Sequence, residues 1–397
     1  MKFAKKYPDG VPIKSWIDAE ELDGSAALTE QTENIARIPW AFHHVALMPD
    51  AHPGYGMPIG GVLALADAVC PSAVGYDIGC GMLALKTGIT ASELRPRIVD
   101  VHRAVRKVIP VGMGGTRSEP SQYAGLRPDL TDEAAICVSP RVEKGLDTQL
   151  GTLGAGNHFI EFDSDESGNV WVVIHSGSRG VGHSIADHYI KLAAKLNHTW
   201  RTPTTRELEC LPVDTEEAAL YKTALEWALK WAFANRQVMA ANVQDVLATM
   251  FVDAADLSRY TTINVHHNDA TIEHHFGRDV WVHRKGATRA RDGERLVIPG
   301  NMGQGTAICT GLGNPDSFCS SSHGAGRRLG RQEAKRTLDY DTEKAKLDAL
   351  GVMLSAGRDG ALDEMPAAYK DFCAVMEAQS DLVTVDHWLT PIGVIKG

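Results

Sequence analysis

The sequence predicts an α+β protein made of one large unit. Gly-rich, turn-dense segments alternate with short runs of β-branched residues, each about as long as a strand and each ending at Gly, Ser or Pro. The clearest runs lie at residues 62–65, 170–174, 280–283 and 296–298. No internal repeat, low-complexity tract or Pro/Ser-rich linker interrupts the 397 residues. We therefore expect residues 1–397 to form a single domain with Gly-rich functional loops at strand ends.

Two segments have helical periodicity, and together they form an expected helical insertion at about residues 184–250. The first helix is predicted at 184–196, and the second runs from Thr215 to about Met250 with Asp214 or Thr215 as its N-cap. Apolar residues follow the second helix in steps of three and four: Leu220, Ala224, Trp227, Trp231, Ala234, Val238 and Ala241. This stripe suits a coiled-coil partner or the protein's own core, and its mixture of small and large side chains favours the core.

The C-terminal segment, 382–395, is apolar and β-branched up to the penultimate residue. Chain ends are usually mobile, and a lysine near one is usually solvated. This composition instead predicts a terminal strand tied into the body of the protein. Lys396 would then present a fixed ammonium group to whatever lies beside it.

The composition is that of a globular protein, with 44% hydrophobic and 23% charged residues. A formal net charge of −10 argues against binding nucleic acid by bulk charge, so any basic groups that contact it must be concentrated locally. The seven cysteines are scattered, and the sequence contains neither a signal peptide nor an apolar run long enough to span a membrane. We expect reduced thiols and a cytoplasmic location.

An acidic residue, a cysteine and several histidines stand in short Gly-rich motifs that are typical of metal ligands. The segment VGYDIGCGM places Asp77 and Cys80 three residues apart between glycines, although this pair alone is more often structural. Three histidines at strand ends, each beside Gly, Ser or Asn, extend the set: His158, His175 and His267. Five donors are too many for one tetrahedral site and fit two cations, the arrangement that binds phosphoryl groups during transfer. His266 would face away because neighbouring residues on a strand point to opposite sides.

The segment SSSHGAGRRLGRQEAKR combines a histidine on a small-residue loop with a row of basic residues. The loop around His323 lets the backbone approach a nucleotide closely. We expect a helix to begin just after it, with Arg327, Arg331 and Lys335 on one face. Such a row fits a phosphate site or a solvated basic face. For His323 itself, the roles of ligand, general acid or base and covalent nucleophile remain open.

Further basic and Gly-rich segments add to this pattern. HRKGATRAR supplies Arg284, Lys285, Arg289 and Arg291, HSGSRG supplies Arg179, and IPGNMGQGTA is a Gly-rich loop suited to a nucleotide. None of them is a P-loop, and each is a weak signal alone. Around a two-metal cluster, they predict a polyphosphate and nucleic-acid site.

Nine segments together resemble the RtcB ligase family in order and spacing, from about residue 48 to the last residue. They are MPDAHPGYGMPIGG, VGYDIGCGM, LGTLGAGNHFIEF, HSGSRGVGH, HHN, RKGAT, IPGNMG, SSSHGAGR and VIKG. The resemblance implies a single α+β catalytic unit. It also implies a GTP- and Mn²⁺-dependent RNA ligase that joins 3′-phosphate or 2′,3′-cyclic phosphate ends to 5′-hydroxyl ends, in RNA splicing or repair.

The resemblance also implies roles for individual residues. Two Mn²⁺ ions would be held by Asp77, Cys80, His158, His175 and His267, with Cys80 bridging them. His323 would take up GMP as a phosphoramidate. The guanylate-binding positions would be Asn157, His158, Phe159, Ile160, Glu161, His267, Asn268, Pro299, Gly300, Asn301, Met302, Thr306, His323, Gly324, Ala325, Gly326 and Lys396. Residues near the RNA-phosphate path would be Asp50, Arg179, Lys285, Arg327 and Arg331.

The implied reaction begins with hydrolysis of any cyclic phosphate and attack of His323 on the α-phosphorus of GTP. GMP then passes to the RNA 3′-phosphate, and the 5′-hydroxyl displaces it. The loop departs from the family at Asn301, which stands for the usual Ser and can still donate from its amide to a phosphate or guanine oxygen, and at Gln304-Gly305. The alternatives are a two-metal phosphodiesterase, an end-capping enzyme, or a non-catalytic RNA-binding protein. The expected partner is RNA, with no membrane, and an activating protein is left open.

Overall fold

Two large β-sheets with helices packed against them form the fold of this computed structural model, which confirms the predicted α+β class. The structure describes residues 1–6, 9–202, 205, 207–251 and 261–397. In these residues the strands are β1 (Phe3–Lys5), β2 (Ile13–Ser15), β3 (Ala41–His52), β4 (Ile59–Leu65), β5 (Ala68–Val69), β6 (Gly81–Thr90), β7 (Phe159–Ser164), β8 (Asn169–Ser176), β9 (Leu211–Pro212), β10 (Thr261–His266), β11 (Asn268–His275), β12 (Arg278–Lys285), β13 (Ala287–Arg289), β14 (Arg295–Pro299), β15 (Thr306–Gly311), β16 (Ser320–Ser322), β17 (Met353–Ser355) and β18 (Val383–Lys396).

The α-helices of the same residues vary from single turns to ten turns. They are α1 (Ala19–Asp23), α2 (Ala26–Ala36), α3 (Pro71–Val74), α4 (Ala91–Leu94), α5 (Ile98–Val108), α6 (Asp132–Cys137), α7 (Pro140–Lys144), α8 (Leu146–Gln149), α9 (Arg179–Trp200), α10 (Glu216–Met250), α11 (Arg331–Thr337), α12 (Tyr340–Ala349), α13 (Arg358–Ala361) and α14 (Phe372–Ala378).

The first sheet has the strand order β1-β2-β3-β4-β12-β11, and the second has the order β10-β6-β8-β7-β18-β15-β14. Strand β17 extends the second sheet by pairing with β18 in parallel, and β2 pairs with β3 in parallel, so both sheets are mixed. The other pairs within these sheets are antiparallel. All four predicted strands are present, within β4, β8, β12 and β14.

The long helix α10 packs against the second sheet and against α9, as its apolar stripe predicts. Thr215 caps it, because its side chain accepts a hydrogen bond from the Ala218 N–H. Five members of the stripe are buried: Ala224, Trp227, Trp231, Ala234 and Val238. These side chains belong to a core cluster that also contains residues of α6, α8 and α9. The stripe is therefore core and not a surface for a coiled-coil partner.

Helix α9 is longer than the predicted 184–196, since it begins at Arg179 and ends at Trp200. Gly180 and Gly182 lie in its first turn, although glycine disfavours helix interiors. At Gly182 the close packing explains the residue: a Cβ there would lie 1.8 Å from Ser178 Oγ. The N-cap side chain of the same helix, together with Ile78 Cβ at 3.3 Å, therefore leaves room only for glycine in this first turn.

The predicted helix just after His323 is wrong. The helix α11 begins only at Arg331, with Gly330 as its N-cap. Arg327 lies before the helix, where its backbone forms an isolated antiparallel β-bridge with Tyr369. Gly326 interrupts the backbone with a φ of +73°, and a Cβ at this position would meet Asp50 O at 2.3 Å. The close approach to β3 therefore replaces the helical turn. Arg327, Arg331 and Lys335 do not form one helical face.

The C-terminal strand is confirmed. Strand β18 is 14 residues long and lies between β7 and β15 in the second sheet. Its last residue, Lys396, is paired with Phe159 and is 3% exposed. The end of the chain is thus fixed in the sheet that carries the histidine motifs.

Candidate active site

The five residues predicted as metal ligands come together at one end of the second sheet. Asp77 and Cys80 lie on the loop between α3 and β6. His158 directly precedes β7, His175 is the penultimate residue of β8, and His267 lies between β10 and β11. These segments are neighbours because β10, β6, β8 and β7 are adjacent strands. The sheet thus gathers residues that are up to 190 positions apart in the sequence (267 − 77).

The donor atoms of these five residues are within a few ångströms of one another. Cys80 Sγ lies 3.2 Å from His175 Nε2 and 3.5 Å from His158 Nε2. His158 Nε2 is 3.1 Å from Asp77 Oδ2, and His175 Nε2 is 3.3 Å from His267 Nε2. Two overlapping groups result, one of Asp77, Cys80 and His158 and one of Cys80, His175 and His267. Cys80 belongs to both, as a bridging ligand would.

In each of two histidines, a hydrogen bond to a backbone carbonyl determines which ring nitrogen keeps its lone pair for a metal ion. His158 Nδ1 lies 2.9 Å from Leu153 O, and His175 Nδ1 lies 3.1 Å from Asn157 O. A carbonyl only accepts, so each Nδ1 carries the hydrogen and each Nε2 turns its lone pair toward Cys80 in the neutral ring. Burial holds the pKa of His175 and of His267 well below the ordinary value, which keeps both rings neutral. Neutral imidazoles, a carboxylate and a sulfur atom form a donor set that fits divalent transition-metal ions.

The cysteine of this cluster also requires a cation to ionise. Burial, and next the charge of Asp77, raises the pKa of the Cys80 thiol well above its ordinary value. A bound cation would reverse that effect by stabilising the thiolate. The donor chemistry is therefore consistent with a metal centre.

A fully buried arginine, which the sequence analysis did not single out, supports the cluster from behind. Arg236 on α10 donates hydrogen bonds from Nη1 to Gly79 O at 2.8 Å and to Ser176 O at 2.9 Å. These carbonyls flank Cys80 and His175. The signal was present in the sequence as a single arginine within an apolar helix. His266, one residue before the ligand candidate His267, faces this arginine and not the cluster, as expected for neighbours on a strand.

His323 lies beside the cluster and is oriented by a buried carboxylate. Its ring centroid is 4.8 Å from that of His267. Asp50 Oδ2 accepts hydrogen bonds from His323 Nδ1 at 2.6 Å and from the backbone N–H groups of His323 at 3.1 Å and Gly324 at 3.3 Å. Asp50 was expected near the RNA phosphates, but it is 0% exposed and lies behind the histidine. His323 Nε2 is left available to a ligand.

A cavity with about 860 Å³ of empty space opens in front of His323. Thirteen of the predicted guanylate positions line it: Asn157, Phe159, Glu161, Pro299, Gly300, Asn301, Met302, Thr306, His323, Gly324, Ala325, Gly326 and Lys396. His175 of the metal cluster also lines the wall, so the cavity and the cluster are continuous. Its mixed polar and apolar lining suits a nucleotide.

Three polar groups of the cavity wall are buried. Burial raises the pKa of Glu161 to about 7, an effect that Asp163 and Lys396 oppose. Thr306 Oγ1 lies beside the Glu161 carboxyl group, and its hydroxyl also acts to lower the pKa of that group. Lys396 Nζ donates to Glu364 Oε2 at 3.1 Å. The cavity thus offers a carboxyl group, a hydroxyl group and an ammonium group to a base or phosphate.

Glu364 is a second residue that the sequence analysis missed. Its buried carboxylate contacts Lys396, Arg327 Nη1 at 3.0 Å and Arg331 Nη1 at 2.5 Å, and it accepts from the Tyr369 hydroxyl at 2.5 Å. No local motif marks it, since its partners come from three separate segments. The two arginines, expected near the RNA, line the wall of the nucleotide cavity.

Four predicted guanylate residues lie outside the cavity lining: His158 and His267, which belong to the metal-ligand cluster, and Ile160 and Asn268. Ile160 is 0% exposed and packs in the core on the opposite face of β7, because alternate residues of a strand point to opposite sides. Its side chain cannot contact a nucleotide. Asn268 fixes the backbone instead: it donates to Asp77 O at 3.1 Å and accepts from the Gly286 N–H at 2.8 Å. It positions the loop of the cluster.

The remaining predicted RNA residues, Arg179 and Lys285, do not line the cavity. Arg179 Nε donates to Thr152 Oγ1 at 3.2 Å, and its guanidinium is close to His158 across Gly154. Lys285 Nζ donates to Tyr55 O and, at 3.5 Å, to Ser72 O. The structure thus separates the five predicted RNA residues into this pair, the two cavity arginines and the buried Asp50.

The unusual loop residues form a closed network. Asn301 Nδ2 donates to Gln304 Oε1 at 2.7 Å, and Asn301 Oδ1 accepts from the Gly303 and Gln304 N–H groups. Gln304 also donates to Asp371 Oδ2 at 3.2 Å. The amide of Asn301 is used within the loop, which it stiffens along the cavity wall.

Among the described residues, none of the helices is apolar and long enough to cross a membrane.

Comparisons with known proteins agree with this geometry. The family model described as tRNA-splicing ligase RtcB matches residues 31–397. The RNA-splicing ligase RtcB of Escherichia coli strain K12 is 38% identical over 413 aligned positions that cover 100% of both chains. The RNA-splicing ligase RtcB of Mycobacterium tuberculosis is 34% identical, covering 92% of this chain and 100% of that protein. The tRNA-splicing ligase RtcB of Thermococcus kodakarensis is 32% identical, covering 93% of this chain and 90% of that protein.

Proposed function

This chain belongs to the RtcB family, and from that premise we propose that it is an RNA ligase that uses GTP to join RNA 3′-phosphate or 2′,3′-cyclic phosphate ends to 5′-hydroxyl ends. The relatives named as RNA-splicing or tRNA-splicing ligases support the reaction class. We assign the reaction to RNA splicing or repair. The seven free cysteines fit a reducing cytoplasm.

The observation that carries the proposal is the position of His323, which lies between the metal cluster and the nucleotide cavity. Its ring contacts that of His267 on one side, and it lines the cavity with Lys396 on the other. A two-metal phosphodiesterase would need the cluster alone. A histidine shared by a phosphoryl-binding cluster and a nucleotide cavity is the arrangement that nucleotidyl transfer requires.

His323 is the proposed nucleophile, and Asp50 is its positioning residue. Asp50 accepts the hydrogen of Nδ1, so the lone pair of Nε2 faces the cavity. Attack of Nε2 on the α-phosphorus of GTP would form the P–N bond of a histidine–GMP adduct and release pyrophosphate. Positive charge develops on the ring as the bond forms, and the Asp50 carboxylate stabilises it.

Glu161 and Thr306 are proposed to select guanine. Guanine presents two donors along one edge, N1–H and the N2 amino group, whereas adenine has no hydrogen on N1. The Glu161 carboxylate can accept both guanine donors, and Thr306 Oγ1 lies beside that carboxylate on the cavity wall. Lys396 is held by Glu364 within reach of a guanine or phosphate oxygen.

Two Mn²⁺ ions are proposed to be held by Asp77, Cys80, His158, His175 and His267, with Cys80 shared. Bound there, they would supply neutralising charge to phosphoryl oxygens. Arg327 and Arg331 would contribute further positive charge on the cavity side, and Arg179 and Lys285 would do so on the side where the RNA approaches. GMP would pass from His323 to the RNA 3′-phosphate, and the 5′-hydroxyl would then attack the activated end and release GMP.

The test is joining of two RNA oligonucleotides, one ending in a 3′-phosphate and the other beginning with a 5′-hydroxyl, by purified protein with Mn²⁺ and GTP. We expect a product of summed length that is absent when GTP is omitted and absent with His323→Ala. Joining that proceeds without GTP, or cleavage of the RNA in place of joining, would contradict the proposal. A 5′-phosphate partner is the matched control and should remain unjoined.

A further inference from the structure

Three aromatic side chains form a row on the surface beside the metal-ligand cluster. The Tyr55 and Tyr76 ring centroids are 5.6 Å apart, and Tyr76 stacks on His183 with centroids 5.1 Å apart and planes inclined by 28°. Tyr55 is 41% exposed, His183 is exposed, and Tyr76 between them is partly buried. We call Tyr55, Tyr76 and His183 the aromatic row.

The aromatic row lies where the cluster meets solvent. Asp77, the chain neighbour of Tyr76, has a side chain that is 37% exposed. The other four ligand candidates are between 2% and 5% exposed, so the cluster opens to solvent at Asp77. An RNA end that reaches the cluster from outside would therefore pass next to Tyr76.

Cationic side chains stand at both ends of the aromatic row. Lys285 Nζ lies 5.9 Å from the centre of the Tyr55 ring. Arg179 begins α9 four residues before His183, but its φ of +61° takes it out of regular helical geometry, and its side chain contacts Thr152. Beyond His183, an open groove continues along α9 past Lys191 and Lys195. Aromatic rings between cations form the pattern with which proteins bind single-stranded nucleic acid.

We propose that the aromatic row stacks on nucleobases of the single-stranded RNA end that is delivered to the cluster, while Lys285 at the Tyr55 end and Lys191 and Lys195 beyond His183 contact the adjacent phosphates. This inference rests on the proposed function, since it names how that substrate is held. Stacking is tolerant of sequence because every base has an aromatic face. It also suits a chain with a formal net charge of −10, for which bulk attraction to phosphates is weak.

The chemistry of Tyr55 is consistent with this role. Burial of the hydroxyl, followed by the charge of Glu207, raises the pKa of Tyr55 to about 12. The phenol therefore stays neutral at physiological pH and adds no negative charge to the RNA path. Glu207 lies at the hydroxyl end of the ring, and Lys285 lies over its face, so phosphates are directed toward the lysine.

The experiment combines changes in the protein with removal of bases from the RNA. Binding of single-stranded RNA with a 3′-phosphate, and separately with a 5′-hydroxyl, is measured by fluorescence anisotropy with intact or abasic terminal nucleotides. We expect Tyr55→Ala to weaken binding of intact RNA by roughly ten-fold or more, the magnitude of one lost stacking contact. Removal of the terminal base should weaken RNA binding by the wild-type protein by a similar factor. In Tyr55→Ala, removal of the same base should lower the affinity little further. The strand that responds identifies which RNA end the row holds.

Two variants and two controls separate stacking from damage to the fold or the cluster. Tyr76→Phe, which keeps the ring, should bind RNA like wild type, whereas Tyr76→Leu should resemble Tyr55→Ala. Trp200→Ala removes an aromatic residue of similar exposure, 40%, at the far end of α9, and should leave binding unchanged. Labelling of His323 by GTP involves no RNA and should be unchanged in Tyr55→Ala.

The aromatic row would be overturned as a base-stacking site by either of two results. One is that Tyr55→Ala and removal of the base lower the RNA affinity additively on both strands. The other is that Tyr55→Ala binds RNA with wild-type affinity. Failure of wild-type protein to bind either strand would overturn it as well. Failure of wild-type protein to join RNA, with the binding pattern intact, would count against the proposed ligase activity and leave the row as an RNA-binding site.

Discussion

Asp50 Oδ2 lies 2.6 Å from His323 Nδ1, and the two residues are 273 positions apart in the sequence. The carboxylate is fully buried and also accepts two backbone N–H groups of the His323 loop. It therefore fixes both the position of the ring and the nitrogen that carries the hydrogen. The other nitrogen faces the nucleotide cavity.

Asp50→Asn should slow transfer of GMP to His323. The amide keeps the size of the side chain but loses the negative charge that stabilises the developing imidazolium, so we expect the rate to fall by about 10²–10⁴-fold. The rate of protein labelling by α-labelled GTP measures it. Asp100→Asn, on an exposed carboxylate that pairs with Arg103, is the control. An unchanged labelling rate in Asp50→Asn would remove Asp50 from the mechanism.

Binding of guanosine should strengthen as the pH rises through about 7. Burial raises the pKa of Glu161 to about 7, and only the ionised form accepts both guanine donors. The ionised fraction of Glu161 therefore rises between pH 6 and pH 8, and guanosine affinity should rise with it. Guanosine is the probe because it carries no titrating phosphate, and calorimetry without metal measures it. Glu161→Gln should bind weakly at both pH values; an equal pH dependence in this variant would assign the effect to another group.

The raised pKa of Glu161 also predicts how the stability of the protein depends on pH. The pKa of folded Glu161, about 7, exceeds the ordinary glutamate value of 4.5, so between these values the folded protein holds a proton that the unfolded chain has released. The Glu161 contribution to the free energy of unfolding therefore falls as pH rises from about 4.5 to 7. Glu161→Gln should flatten this part of the pH profile in chemical denaturation.

Cys80→Ser should weaken Mn²⁺ binding, because a hydroxyl ionises far less readily than a thiol and bridges two cations poorly. Titration of Mn²⁺ followed by electron paramagnetic resonance should show loss of at least one site. Cys309→Ser changes a buried cysteine of the core and serves as the matched control. Wild-type stoichiometry and affinity in Cys80→Ser would contradict the two-metal interpretation.

Lys396→Ala should weaken GTP labelling more than it lowers thermal stability. The ammonium group lines the cavity, and after its removal Glu364 still contacts Arg327, Arg331 and Tyr369, so the buried carboxylate keeps partners. Labelling across a range of GTP concentrations at saturating Mn²⁺, and thermal unfolding of the same preparations, measure the two effects. Unchanged labelling over the whole range would make Lys396 a structural residue only.

The sequence was most informative where short motifs place chemistry on single loops. Asp77, Cys80, His175 and His267 could be predicted because glycines and strand ends mark their surroundings locally. The terminal strand that holds Lys396 was also predictable from its apolar, β-branched composition.

The relationships that the sequence could not supply depend on contacts between distant segments. Asp50 lies behind His323 only because β3 approaches the His323 loop, and that approach also gives Gly326 its positive φ and ends the predicted helix. Glu364 has no motif, since its role comes from the arginines, the tyrosine and the lysine that surround it. Both cases are set by tertiary packing, which no local pattern encodes.

The most direct test of the proposed function is covalent labelling of the protein by GTP labelled at the α-phosphate, in the presence of Mn²⁺ and without RNA. The proposed mechanism predicts an acid-labile label that mass spectrometry locates on His323 and that is absent in His323→Ala. The variant should still seal RNA that already carries a 3′-diphosphoguanosine end, because that substrate bypasses the missing step. Absence of label on the wild-type protein, or a label that persists in His323→Ala, would contradict the proposal that His323 carries GMP.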